Sequence, residues 1–183
     1  MKNVDKINES IIKRLSDFDC LANSQVYGVA EPIIRSDEDS EEWIPVLVDN
    51  DGEDHYIFVV DDDYPMVLYH RLLSKSYVVD RKSKYGDDIG LSIQADMRLV
   101  CWGFRNMVKT TAEQIESFIF ASLPSNVNPV KSNFDRLAVF NNEFKGIKFF
   151  LPEEVFLFSM DYNFKYTPNK RECVDLSNIC NND

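Results

Sequence analysis

The stretch Leu91–Leu123 constrains this chain most, because a strand there runs almost directly into a capped helix. In LSIQADMRLVCWGF, residues Ile93, Ala95, Met97, Leu99 and Cys101 fall on one side. Gln94, Asp96 and Arg98 fall on the other, which turns apolar at Val100, Trp102 and Phe104. Period two predicts a strand, half buried at its start and buried on both faces at its end, so it belongs in the interior of a sheet. Thr110 and Thr111 precede Glu113 and Gln114 at capping-box spacing. Ile115, Phe118, Ile119 and Leu123 then recur at helical spacing until Pro124 stops the run. An apolar helix face needs a sheet to cover, and the adjacent strand is the nearest one.

The other elements are read the same way. Val4, Ile7, Ile11, Ile12 and Leu15 form the apolar stripe of an N-terminal amphipathic helix. Val26–Arg35 is strand-like, with Pro32 marking an edge or a bend. Trp43–Val48 and His55–Val60 flank the turn-forming DNDGED and predict a hairpin with a long loop, Pro45 placing its first strand at an edge or bulge. Met66–Asp80 fits two short strands, or a short helix and a strand. Arg81–Gly90 is a polar connection, so that strands on either side of it make an extended hairpin. Pro124–Asn133 reads as a loop, and Arg136–Phe140 and Ile147–Leu151 as short apolar runs, the former a strand ending at Asn141–Asn142. In Val155–Tyr166 the side chains of Phe156, Phe158, Met160, Tyr162, Phe164 and Tyr166 alternate with polar ones, the clearest strand in the chain, with its aromatics in the core. Together these predict an α+β domain over residues 1–166, a mostly antiparallel sheet with two main helices on one face, followed by a polar tail, 167–183.

Charge narrows the function. The chain carries a net charge of −11, and residues 1–90 hold 20 acidic against 10 basic side chains. The acid comes in short runs, Asp37–Asp39 with Glu41 and Glu42, Asp49–Asp54, Asp61–Asp63, and Asp87 with Asp88, which read as solvated tips between strands. Such a field opposes DNA binding, which needs clustered Lys and Arg. No apolar window long enough for a membrane helix and no secretory h-region is expected. Cys20, Cys101, Cys173 and Cys180 lack a C-x-x-C pair and read as free thiols in a reducing cytoplasm, although Cys173 and Cys180 are spaced to bridge a C-terminal loop.

Motifs for chemistry are sparse. With Gly52 in the sixth position of a calcium loop, the first and twelfth would be Leu47 and Phe58, which cannot ligate. His55 and His70 have no second ligand at zinc spacing. There is no G-x-S-x-G and no glycine-rich phosphate loop. Asp135 with Glu143-Phe144-Lys145 has the acid…E-x-K form of a metal-dependent nuclease, in which two carboxylates hold a divalent ion and a lysine steadies the phosphate. That motif is short and common, and no basic groove accompanies it.

The order of elements, from N-terminal helix through acid-tipped hairpins and ADMRLVCW with its capped helix to LPEEVFLFSMDYNFKY, resembles the tail-terminator and head–tail joining (neck) proteins of tailed bacteriophages over residues 1–166. The resemblance implies a sheet with helices on one side and a non-enzymatic virion protein without a cofactor. It implies a ring at the head-proximal end of the tail tube, assembled in the host cytoplasm and touching tail-tube and neck or connector proteins. DNA would pass through the lumen without specific binding, because a negative lumen offers no phosphate contacts. Hairpin tips at Asp49, Asp51, Glu53, Asp54, Tyr85, Asp87 and Asp88 are the candidate contacts with neighbouring subunits, or else plain solvated loops. A cytoplasmic binding or adaptor module is the alternative, and a nuclease using Asp135, Glu143 and Lys145 the third reading.

Overall fold

The computed structural model describes residues 2–37, 40–48, 54–56, 64–81, 89–148 and 151–167. Helix α1 spans Lys2–Leu15, and the strands β1 (Gln25–Asp37), β2 (Ser40–Val48), β3 (Asp54–Tyr56), β4 (Met66–Arg81) and β5 (Ile89–Phe104) follow. Then come α2 (Arg105–Val108), α3 (Ala112–Ser122), β6 (Val127–Asn133), α4 (Arg136–Glu143) and β7 (Val155–Tyr166). The strands form a seven-stranded sheet in the order β3-β2-β1-β4-β5-β7-β6. Every pair is antiparallel except β1 with β4. The α+β class, the interior position of the Leu91 strand and the strand over Val155–Tyr166 all agree with the sequence.

Two cores lie on the two faces. On one, α1 and α3 pack over β4, β5 and β7, with Val4, Ile7, Ile11, Leu15, Ile115 and Ile119 against Met97, Leu99, Phe158 and Tyr162. Each fully buried aliphatic or aromatic side chain contributes about 1.5–3 kcal/mol relative to exposure. Ile12 falls off the α1 stripe and is half exposed. Thr111 caps α3, taking the Gln114 amide while the Gln114 side chain returns to the Thr111 amide, as the capping-box spacing requires. On the opposite face a second core joins Tyr69, Val100, Trp102 and Leu157 to Val139 and Phe140 of α4 and to Phe144, which follows it. Gly103 lets this part of β5 approach its neighbours closely, since a Cβ would collide with the Pro65 carbonyl and the Phe156 ring.

Three expectations need correction. Arg136–Phe140 is the start of helix α4, whose first amides, those of Leu137 and Ala138, are taken by the Asp135 side chain. Residues 127–133 of the expected loop form β6, the outermost strand beyond β7, where Pro129 and an adjacent register shift are tolerated because no ladder lies outside it among the described residues. Met66–Asp80 belongs to one long strand, β4, with a bulge between Leu72 and Ser74. Arg105–Val108, not assigned from the sequence, forms the short helix α2. The β2–β3 hairpin is present, β3 pairing with β2 over Val46–Val48 among the described residues. Residues 57–60 of the run His55–Val60, the acidic run Asp61–Asp63, and Cys173 and Cys180 lie outside the described residues.

Candidate functional site

The polar half of the second face converges on one cluster. Register places Arg71 of β4 opposite Arg98 of β5, Arg98 opposite Asp161 of β7, and Asp161 opposite Lys131 of β6, a row of charges across four neighbouring strands. Two arginines directly opposite each other repel, so the row needs anions to hold it. Asp161 takes Arg98 in a fork, with Nε at 2.7 Å from Oδ1 and a terminal nitrogen at 3.2 Å from Oδ2. Glu143, the last residue of α4, bridges the pair, its Oε2 2.9 Å from Arg71 and its Oε1 3.4 Å from Arg98. The Tyr69 hydroxyl donates to Oε2 at 3.4 Å. The Glu143 side chain has no solvent exposure, and its two guanidiniums are only 16% and 19% exposed. Burial, and then the Glu143 charge, push the Tyr69 hydroxyl far above the usual phenol range. The hydrogen bonds Arg98 donates to Asp161 hold its guanidinium still more firmly in the charged form. Lys131 completes the row at 3.6 Å from Asp161, its side chain 68% exposed.

Beside this cluster opens a cleft of about 280 Å³, lined by Arg98, Lys131, Ser132, Asn142, Ser159 and Asp161 among others. It offers donors, carboxylate acceptors and hydroxyls. Among the described residues no histidine lines this cleft, and His70 lies on the other face against Tyr162. On that side the Tyr162 hydroxyl meets His70 Nδ1 at 2.7 Å, Nε2 meets the Asn8 side-chain oxygen at 2.6 Å, and the Asn8 amide donates to the Tyr27 carbonyl at 3.0 Å. An oxygen acceptor at Nε2 requires the proton there, so Nδ1 accepts from the tyrosine and the ring is neutral. Burial lowers the His70 pKa to about 3 and raises that of Tyr162. The chain of contacts ties α1 to the sheet.

The nuclease residues are not brought together. Asp135 caps the start of α4 and Glu143 ends it, about 12 Å apart along the axis at 1.5 Å per residue. The Lys145 ammonium lies over the Trp43 ring, 5.2 Å from its centroid. Among the described residues no group of three or more His, Cys, Asp or Glu side chains is placed to hold a metal ion, and no helix is long and apolar enough to cross a membrane. Of the candidate contact residues, Asp54 opens β3 opposite Val48. Asp49, Asp51, Glu53, Tyr85, Asp87 and Asp88 lie outside the described residues. In the sequence Arg98 lies on the polar side of its strand, with nothing nearby to mark its partners. Arg71, Lys131 and Asp161 carried no local signal, because only the strand register joins them. No protein-family model matches the chain, and no curated protein matches it.

Proposed function

We propose that this chain is a non-enzymatic structural protein that self-associates, a tail-terminator or neck component forming an oligomeric ring at the head–tail junction of a tailed bacteriophage. The observation that carries this reading is the β4–β5 hairpin, two 16-residue strands that outrun their neighbours. The β7 ladder reaches only Ile93↔Tyr166, and the β1 ladder only Ala30↔Arg71. The β4–β5 pairing continues to Arg81↔Ile89. Among the described residues no strand therefore pairs with β4 beyond Arg71 on its outer side. An open edge of this kind is a template for a strand or surface of another chain. Leu73 and Tyr77 lie on it, 42% and 70% exposed. The finer placement in a phage neck rests on the likeness in element order.

The test is sedimentation velocity on the wild type and on a variant carrying both Leu73→Glu and Tyr77→Glu. Both positions are exposed, so the thermal midpoint stays within a few degrees, as is usual for surface substitutions. The wild type is expected to sediment as an oligomer and the variant as a monomer. A variant that sediments with the wild type's mass contradicts the role of this edge.

A further inference from the structure

We infer that the cleft between β5, β6, β7 and α4 is a binding site for a phosphate group, either free or carried on a small molecule as a monoester. Four elements bring its wall together: Arg98 comes from β5, Lys131 from β6, Ser159 and Asp161 from β7, and Asn142 from α4. Ser159 and Asp161 lie two residues apart on one strand and so share a face. The register sets Lys131 opposite Asp161, and Asn133 opposite Ser159. The volume of about 280 Å³ lies just under the ~300 Å³ at which ligand clefts begin, so the cleft suits a small ligand.

The class of ligand follows from which groups are already paired. Both Asp161 carboxylate oxygens accept from the Arg98 fork. The enclosed Glu143 is bonded to Arg71, Arg98 and Tyr69. The donors are not used up in the same way. Lys131 stands 3.6 Å from Asp161, too far for a hydrogen bond, and its ammonium makes none among the described residues. Arg98 has five N–H donors, and its bonds to Asp161 and Glu143 use three of them. Asn142 meets Arg71 through its backbone carbonyl, and its side-chain amide has no partner among the described residues. The most telling group is Ser159. It is only 4% exposed, it lines the cleft, and its hydroxyl has no hydrogen-bond partner among the described residues. A buried hydroxyl in that position calls for a partner in the space it faces. The cluster's three cations, Arg71, Arg98 and Lys131, outnumber its two carboxylates, so the partner is an anion. Spare donors on several sides of the cleft fit a tetrahedral oxyanion, whose oxygens point several ways, better than a flat carboxylate with two.

Isothermal titration calorimetry of the whole chain with inorganic phosphate, phenyl phosphate and acetate tests this. At least one of the two phosphates is expected to bind saturably at one site per chain, and acetate at least about tenfold more weakly. The tighter of the two phosphates tells whether the site takes the free ion or a monoester. Lys131→Gln is expected to weaken that binding about tenfold, and Ser159→Ala about fivefold. Lys13→Gln, which removes an exposed cation of α1 on the other face of the sheet, is expected to change nothing. Arg98 is left in place, because its loss also removes the ion pairs under the cleft. Circular dichroism establishes that each variant is folded. Binding weakened as much by Lys13→Gln as by Lys131→Gln is diffuse charge attraction and overturns the site. Lys131→Gln or Ser159→Ala binding like the wild type overturns it too, as does acetate binding as tightly as phosphate. No saturable binding of either phosphate up to about 10 mM also overturns it. Each of these results leaves the self-association proposed above standing, because that is read from mass alone.

Discussion

Replacing Arg98 by Met is expected to cost about 3–5 kcal/mol of folding stability, the range for removing one partner of a buried ion pair. Arg98 is the shared member of the cluster, forked on Asp161 and bonded to Glu143. Without it Glu143 keeps Arg71 and the Tyr69 hydroxyl, while Asp161 keeps only the exposed Lys131 among its ion-pair partners. The nearly enclosed Asp161 carboxylate then loses its forked partner and faces a single, mostly exposed cation at 3.6 Å. Arg71→Met is expected to cost clearly less, since Glu143 retains Arg98. Urea titrations of the two variants measure the difference. Equal losses, or a loss below about 1 kcal/mol for Arg98→Met, the range of a surface pair, contradict the cluster's role as a buried brace.

Acid is expected to weaken the fold through His70 by about 3 kcal/mol between pH 7 and pH 4. The folded protein holds this imidazole neutral, with a pKa of about 3 against an ordinary value of 6.5. The unfolded chain takes up the proton as pH falls below 6.5 and the folded protein does not. The stabilisation from neutral His70 is therefore complete above pH 6.5 and declines steadily towards pH 3. Its cause is burial: the ring sits enclosed between the Tyr162 hydroxyl and the Asn8 side-chain oxygen, with no carboxylate beside it among the described residues to favour the charged form. His70→Gln removes the titration, so its stability falls less steeply over the same interval. Wild-type and variant curves that run parallel from pH 7 to pH 4 contradict the assignment.

What was legible in the sequence follows from how each element earns its burial. The strands β5 and β7 alternate over a dozen or more residues, and their patterns are long enough to exclude a helix. The helix α3 has both a capping box and an apolar stripe. The helix α4 has only eight residues, and its Leu-Ala-Val-Phe run is as strand-like as helical. Its one local marker was Asp135, which the nuclease reading absorbed as a ligand although Asp is a preferred N-cap. The strand β6 was hidden by proline, which an outermost strand tolerates. Glu143 followed two asparagines and looked like a turn residue, and only the α4 fold turns it onto Arg71 and Arg98. His70 and Tyr162 lie 92 positions apart in stretches whose apolar neighbours suggest nothing beyond core. Periodicity reports which face a side chain takes, and register, which decides its partner, depends on contacts distant in sequence.

The most direct test of self-association is the solution mass of the wild-type protein, measured by light scattering across a concentration series. An open β4 edge predicts a mass that rises with concentration and levels off at a fixed multiple of 21.3 kDa, as a closed ring requires. A mass of one chain at every concentration would contradict the account.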